Sequence, residues 1–329
     1  MLAALPAPNL PALEDAPLSP DLVARIGAAL EAGMSDHTRR AYRADWSHYT
    51  EWCAHLERCA LVASPETVAA YLVSLEGEGF AVSTIRRRLA TIGKAHASQA
   101  PTARNPARSE LVRGVMRGIS RQRAEGTGRG AAPILPAHVR AMVGELGQGT
   151  KATRDRALLL LMLATGMRRS ELVALTCADL DWTDPRGVVL AIRRSKTDQT
   201  GEGREISISR GADPATCPVR TLRAWLAAGG FQAGPVFRSV DRRGQVADRP
   251  MTGAGVAYVV KQAAERAGMD PQRVSPHGFR AGHVSARRAA GEDAAAVMDT
   301  TGHRSVAMLR RYDRASRRFR SDVSKALGL

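Results

Sequence analysis

The stretch VSPHGFRAGHVSARRAAG, residues 274–291, places two basic side chains in the first turn of a predicted helix. Ser275 is a typical N-cap and Pro276 fits the first helical position, so His277 and Arg280 fall on one helix face. Cations are unfavourable at the positive end of a helix dipole, where an anion is stabilised. The pair is therefore expected either to share a phosphate or to form a solvated first turn.

A second basic stretch, TTGHRSVAMLRRYDRA, residues 300–315, contains Tyr312 nine residues after His303. Met308 and Leu309 precede Tyr312 by four and three residues, which is the spacing of one helix face, so the local pattern alone favours a packing role. Tyrosine is a weak nucleophile at its ordinary pKa and attacks only beside a base and positive charge. Other parts of the chain must therefore decide between packing and chemistry.

A third stretch, LLLLMLATGMRRSELVAL, residues 158–175, indicates a buried helix that ends at Gly166 and a new helix that begins near Ser170. Arg168 then falls in the turn between them. Taken alone, such an arginine is expected at the surface, because burying an unpaired charge is costly. Glu171 is the neighbour that would instead hold it at the floor of a cleft.

The clear β signal of the chain is GVVLAIRRSKTDQTGEGREISIS, residues 187–209. Two β-branched runs, Val188–Ile192 and Glu205–Ser209, flank a polar turn that contains glycine, which predicts a hairpin with Lys196 near its tip. Everything around this hairpin is predicted to be helical.

These four stretches supply side chains suited to phosphoryl transfer. Two arginines bind phosphate oxygens and stabilise the charge of a pentacoordinate phosphorus. A histidine accepts the proton of an attacking tyrosine or donates to the phosphate, and Lys196 offers a general acid for a leaving deoxyribose 5′-oxygen. With arginines in this role no metal is required, and these stretches carry no acidic metal-binding cluster.

The composition agrees with a DNA-binding protein of about two domains. The chain has 329 residues and a net charge of +16 spread along its length, which favours a polyanionic partner. We find no lysine-rich amphipathic helix or lipidation motif, so no membrane partner is expected. The four cysteines form no CxxC pair, which argues against a zinc site and a disulfide framework. A soluble, reduced, intracellular protein is expected.

The first half of the chain reads as a basic helical bundle. Ser64 and Ser83 are predicted N-caps of two of its helices, and RQRAEGTGRGAAPILP, residues 121–136, is predicted to be a linker. The predicted organisation is a flexible tail (1–20), a helical domain (21–120), this linker, and a second domain (137–329).

The second half resembles the tyrosine recombinase (phage integrase) family over about residues 140–320. ATGMRRSEL is similar to the box of the first catalytic arginine, SKTDQTGEGR to the family's β-hairpin, and HGFR to its His-x-x-Arg box. TGHRSVAMLRRY resembles the last box, in which the nucleophile follows the histidine by nine residues. The resemblance implies that the catalytic residues are Arg168, Lys196, His277, Arg280, His303 and the nucleophile Tyr312, with Glu171 in support.

One position departs from the family pattern, and the first half resembles the family less specifically. Many members have a histidine directly after the second arginine, where this chain has Ala281, Gly282 and His283. The first half is similar to the family's core-binding (SAM-like) domain in size, helical content and basic character. Its candidate phosphate contacts are Arg39, Arg40, Arg43, Arg86, Arg87 and Arg88. For any single one of these arginines, a position on a solvated basic helix face is expected as much as a phosphate contact.

The resemblance implies a mainly α fold with a small β-hairpin or sheet in the C-terminal domain, arranged as a two-domain clamp on duplex DNA. It implies site-specific strand exchange without cofactor, metal or ATP, through a 3′-phosphotyrosyl intermediate and a Holliday junction. The implied partners are DNA with paired half-sites, a homo-tetramer and accessory proteins, and the implied location is the cytoplasm, at the nucleoid. The amphipathic tail with Phe319, Val323 and Leu327 is expected to dock on a neighbouring protomer, or else on its own domain.

Three alternatives stay open at this stage. A type IB topoisomerase shares the chemistry but relaxes supercoils without a partner duplex. A catalytically silent family member would bind DNA without cutting it. A metal-dependent nuclease would lose activity in EDTA.

Overall fold

The computed structural model describes residues 36–99, 103–126, 132–193 and 203–303, together with the single residues 19, 21, 25, 305, 306 and 309. The chain divides into two compact units, Met1–Gly128 and Arg129–Leu329. Several predicted residues lie outside the described part: Lys196, Tyr312, Phe319, Val323 and Leu327.

The first unit is a helical bundle around an apolar core. Its described helices are α1 (Asp36–His55), α2 (Pro65–Gly77), α3 (Val82–Gln99) and α4 (Glu110–Gly126), with a 3-10 turn at Pro106–Arg108. Although the chain is poor in aromatic residues, two tyrosines lie at the centre of this bundle, Tyr49 and Tyr71, with ring centroids 4.9 Å apart. The aromatic contacts supply area that leucine and valine alone would not.

Local capping signals predicted the start of α2 but not that of α3. The Ser64 hydroxyl accepts the backbone N–H of Thr67 at 3.3 Å, which confirms the predicted N-cap. The Ser83 prediction is wrong, because α3 begins one residue earlier, at Val82. The Ala81 carbonyl already accepts the first helical hydrogen bonds, so Ser83 lies inside the first turn.

The last helix of the first unit is longer than predicted. Helix α4 continues through Gly126, although the sequence predicts a linker from residue 121. Arg123 on this additional turn donates to the Glu76 carbonyl at 2.8 Å and pairs with the Glu76 carboxylate at 3.3 Å. These tertiary contacts stabilise the helical conformation of a segment whose composition is typical of a linker.

The second unit contains seven described helices, six of which surround one buried helix. They are α5 (Pro136–Gly144), α6 (Thr150–Thr165), α7 (Arg169–Ala174), α8 (Pro218–Gly229), α9 (Gly253–Arg266), α10 (Pro276–Ala289) and α11 (Ala294–Thr301). The leucine run of α6 is enclosed on all sides, as its uniform hydrophobicity predicts. Among the described helices, none is both long and apolar enough to cross a bilayer.

Two small antiparallel sheets complete the second unit. The strands β1 (Leu180–Asp181), β2 (Gly187–Ile192) and β3 (Arg204–Ser209) form one sheet in that order, and Val188 pairs with Ile208. This confirms the predicted hairpin. A second hairpin, β4 (Arg238–Val240) and β5 (Val246–Pro250), shows that the expectation of only helices around the first one is wrong. Its strands are short and polar, so they carry no alternating apolar pattern that sequence reasoning detects.

Candidate active site

Arg168 lies in the sharp turn that joins α6 to α7. Gly166 ends α6 in the left-handed conformation, with a φ of 60°, and Arg168 occupies the N-cap position of α7. A side chain at Gly166 would also collide with its surroundings, because a Cβ there would lie 2.7 Å from the ring of His283. The glycine that ends the apolar run therefore sets both the turn and the position of the arginine.

Glu171 fixes the Arg168 side chain. The carboxylate atom Oε1 accepts from Arg168 Nη1 at 2.7 Å, and Oε2 accepts from the Arg168 backbone N–H at 2.9 Å. Arg204, the first residue of β3, donates its Nη2 to the same Oε2 at 2.8 Å. Burial by itself would raise the pKa of Glu171, but the hydrogen bond and charge of Arg204 and the hydrogen bonds of Arg168 lower it. Glu171 is thus a carboxylate shared between two arginines.

The N-terminus of α10 brings the second arginine to the same place. The Ser275 hydroxyl caps the helix as predicted, and His277 and Arg280 lie in its first turn. The Arg280 side chain is buried. It donates Nη1 to the Gly166 carbonyl at 2.8 Å and Nη2 to the Thr301 carbonyl at 2.6 Å. Arg280 therefore ties the Arg168 turn to the end of α11.

His303 follows α11 and faces Arg280. Gly302 ends α11 in the left-handed conformation, with a φ of 66°, and the buried imidazole of His303 lies 3.2 Å, at Nε2, from Arg280 Nη2. The Thr301 hydroxyl donates to the Val297 carbonyl at 2.6 Å, so its oxygen accepts the Nδ1–H of His303, also at 2.6 Å. This arrangement leaves Nε2 of the neutral ring as a proton acceptor.

The electrostatics of the cluster favour neutral histidines and a bound anion. Burial, and then the charges of Arg280, Arg168, His277 and Arg204, lowers the pKa of His303 to about 4. Partial desolvation, followed by Arg280 and Arg168, also lowers the pKa of the more exposed His277. A negatively charged phosphate in this field would be stabilised and would raise both pKa values again.

A pocket of about 410 Å³ opens at this cluster. It is lined by residues 167–170 and 275–277 and by Arg280. Arg168, His277 and Arg280 thus meet in one pocket, and His303 contacts it through Arg280, although these residues come from three separate segments. In the part of the chain that the structure describes, no three His, Cys, Asp or Glu side chains stand close enough to hold a metal ion.

A model of the phage integrase family matches residues 134–318, which is more than half of the chain, and a model of the phage integrase N-terminal SAM-like domain matches residues 28–98. The chain belongs to the phage integrase family. It is a tyrosine recombinase, a site-specific DNA strand transferase. The family resemblance, the fold class and the DNA-recombining activity predicted from the sequence are thereby confirmed.

Individual relatives support the same assignment. An integrase/recombinase XerD homolog of Selenomonas ruminantium is 34% identical over 286 residues, which cover 86% of this chain and 83% of the relative. A lambda integrase (75–356) dimer bound to a COC′ core site shares the fold, with a TM-score of 0.59 and 15% identity over 89% of this chain and 94% of that one. A XerH recombinase bound to palindromic difH substrate has a TM-score of 0.56 and 14% identity, over 81% and 72% of the two chains.

Two residues of this recombinase's site were not predicted from the sequence. Arg204 contacts Glu171, and Thr301 orients His303. Arg204 is part of a strand pattern, and Thr301 is an ordinary residue of the last turn of α11, so neither carries a local signal of function. Only the packing of β3 and α11 against α7 and α10 identifies them.

Arg88 differs from the expectation that it contacts DNA. Its side chain is buried in the first unit, where Nη1 contacts Tyr71 Oη at 3.2 Å and His48 Nδ1 at 2.9 Å. The guanidinium carbon also lies 4.3 Å from the centre of the Phe80 ring. Arg88 is therefore a core residue and drops out of the candidate phosphate contacts.

The other candidate arginines of the first unit lie nearer the surface. Arg40, Arg43 and Arg86 are exposed and Arg39 is partly buried, while Arg86 donates to Ser120 Oγ at 2.9 Å. Arg87 is exposed but pairs with Asp45 at 2.6 Å. A role in DNA contact stays a prediction for these five.

Proposed function

We propose that this tyrosine recombinase cuts DNA with Tyr312. The phenolic oxygen attacks the scissile phosphorus, the bond from phosphorus to the 5′-oxygen breaks, and a 3′-phosphotyrosyl link forms. Lys196 gives a proton to the departing 5′-oxygen, and a histidine takes the proton from Tyr312. The 5′-hydroxyl of a partner strand then attacks the link and releases the tyrosine, so the phosphodiester energy is kept and neither ATP nor metal is needed.

The observation that carries this proposal is the convergence of Arg168 and Arg280 on one pocket. Arg280 donates to the carbonyl of Gly166, two residues before Arg168, so the Arg280 guanidinium is fixed to the turn that carries Arg168. Two preorganised arginines stabilise the charge that builds on a phosphorane and do so without rearranging during the reaction. Glu171 fixes the geometry of Arg168 in this scheme.

The histidines are suited to respond to DNA. In the free protein the pKa of His303 is about 4, so the ring is neutral at pH 7 and a weak base. A phosphodiester between Arg168 and Arg280 offsets their charge and raises that pKa, which makes His303 a better proton acceptor when substrate is bound. His277, in the same pocket, is the candidate donor to a non-bridging phosphate oxygen.

The proposal extends to the assembly. Two recombinase protomers would bind paired half-sites on each duplex, and a homo-tetramer would make and resolve a Holliday junction, with accessory proteins setting direction. The tail from residue 316 onwards would dock on a neighbouring protomer. Deleting the tail should leave binding of one protomer intact and reduce synapsis; unchanged tetramer formation would contradict this. We expect the protein in the cytoplasm, at the nucleoid.

A nicked suicide substrate tests the chemistry directly. The wild-type chain should form a covalent adduct that survives SDS and EDTA, and Tyr312→Phe should form none. Binding without an adduct would indicate a silent DNA-binding protein, and cleavage lost in EDTA a metal-dependent nuclease. Relaxation of supercoiled DNA that lacks half-sites, without strand exchange, would instead support the topoisomerase.

A further inference from the structure

Arg204 occupies a position that joins three parts of the recombinase's catalytic unit. It is the first residue of β3 and pairs with Ile192, the last residue of β2, so it lies at the base of the segment that contains Lys196. Its side chain is only 13% exposed. An arginine this buried normally requires partners for its donors, and Arg204 finds them on two other segments.

The first partner is Glu171. The distance from Arg204 Nη2 to Glu171 Oε2 is 2.8 Å, and the same oxygen accepts the backbone N–H of Arg168. Among the groups that lower the pKa of Glu171, Arg204 acts more strongly than Arg168. The Glu171 carboxylate is therefore held from both sides, and Arg204 limits its freedom to rotate away from Arg168.

The second partner is the last turn of α11. Arg204 Nε donates to the Thr300 carbonyl at 3.0 Å. The guanidinium also lies beside Gly302, where an added Cβ would stand 3.2 Å from Arg204 Nη1. This turn leads directly into His303, and the carbonyl of Thr301 within it accepts from Arg280. Arg204 thus supports the turn that positions His303.

Charge gives Arg204 a further effect. One carboxylate beside one guanidinium is neutral as a pair, whereas the two guanidinium groups of Arg204 and Arg168 around Glu171 carry a net positive charge. Removing the positive charge of Arg204 would therefore weaken the attraction of this pocket for phosphate, even if Arg168 stayed in place.

We propose that Arg204 is a positioning residue for strand cleavage, which acts through Glu171 on Arg168 and through the Thr300–Gly302 turn on His303. This inference rests on the proposed function, because it concerns the same pocket. Arg204 itself would touch neither the phosphate nor the tyrosine.

The test compares Arg204→Gln, Arg204→Lys and a matched control, Arg238→Gln. Arg238 is another strand arginine of the same unit, with a side chain 9% exposed, a 2.6 Å pair to Asp248 and a 3.0 Å bond to the Pro235 carbonyl. The full-length variants are compared in thermal unfolding, in affinity for a duplex target, and in the single-turnover rate of adduct formation on the nicked substrate.

A positioning role predicts a specific pattern among these readouts. Losing a charge-assisted hydrogen bond should slow adduct formation by Arg204→Gln about 10- to 100-fold. The weaker attraction of the pocket for one phosphate should lower the affinity for DNA much less, because many other phosphate contacts contribute to that affinity. Arg204→Lys keeps the charge and one donor, so it should recover part of the rate. Arg238→Gln should lose stability but cleave at close to the wild-type rate.

A double-mutant cycle with Glu171→Gln separates this inference from a general loss of structure. Once Glu171 is neutral, adding Arg204→Gln should slow cleavage several-fold less than it does in the wild-type background. Fully additive rate losses, or equal rate losses in the Arg204→Gln and Arg238→Gln variants, would overturn the inference. A wild-type chain that never forms the adduct would refute the proposed function instead, whereas an Arg204→Gln variant that cleaves at the wild-type rate refutes only the role of Arg204.

Discussion

Replacing Gly282 by alanine tests how closely α10, the helix that carries His277 and Arg280, packs against the backbone at Ile134. Gly282 lies in α10 where the chain at Ile134 crosses it, so that an added Cβ would stand 1.8 Å from the Ile134 carbonyl oxygen and 2.5 Å from its carbonyl carbon. The crossing is fastened by a hydrogen bond from Ile134 N to the Gly278 carbonyl at 2.9 Å. Because the clashing atoms are backbone, no side-chain rotation relieves the contact. The crossing segment or the helix must move by about 1.5 Å to reach ordinary contact distance.

The size of the effect follows from three terms. Alanine gains about 0.5–1 kcal/mol over glycine inside a helix. Overpacking costs about 1–3 kcal/mol, and a clash between backbone atoms belongs at the upper end of that range. Weakening the bond from Ile134 to Gly278 adds about 1 kcal/mol. We therefore expect Gly282→Ala to lower the free energy of unfolding by about 3 kcal/mol.

Urea unfolding of the full chain measures this loss, and hydrogen exchange of peptides from α10 locates it. The control is Gly144→Ala in α5 of the same unit, where an added Cβ meets nothing within 4 Å. That change should be neutral or stabilise by up to about 0.5 kcal/mol. Since α10 carries His277 and Arg280, Gly282→Ala should also slow adduct formation at least about tenfold at a temperature where it is folded. A Gly282→Ala variant as stable as wild type would refute this account of the crossing.

Three further predictions concern charge. Burial, partly opposed by the bond to the Leu163 carbonyl, lowers the pKa of His283 to about 4, so stability should fall as the pH drops from about 6.5 towards 4, by up to about 3 kcal/mol. Urea unfolding at pH 7 and pH 4.5 checks this. His283→Gln should remove this part of the dependence, while the part that comes from His303, whose pKa is also lowered to about 4, should remain. Arg88→Met should cost about 3 kcal/mol of stability yet leave the salt dependence of DNA binding unchanged, since its charge is buried. Arg40→Gln and Arg43→Gln should each lower the slope of log K against log salt by about 1 without loss of stability; unchanged slopes would remove them from the DNA interface.

The sequence by itself determined the features that depend on neighbouring residues. The Ser275 cap, the stop of α6 at Gly166 and the β2–β3 hairpin follow from backbone preferences over a few residues, and the structure confirms each. The four catalytic motifs, found in the order typical of the family, indicated the family for the same reason, because each motif is a short stretch with its own signature. Even Arg168 and Glu171, three residues apart, were paired from sequence alone.

Only the tertiary structure decided which distant groups share a partner. Arg88 looked like its exposed neighbours in the sequence, but the fold buries it among aromatic side chains. Arg204 and Glu171 are 33 residues apart, and their hydrogen bond exists because β3 packs beside the start of α7. No periodicity encodes such a pairing, since it depends on how the elements are stacked and on where water has been excluded. Local sequence preferences determine which helices, strands and turns carry the basic residues of this chain. Tertiary packing decides which of these residues bind carboxylate, carbonyl or DNA.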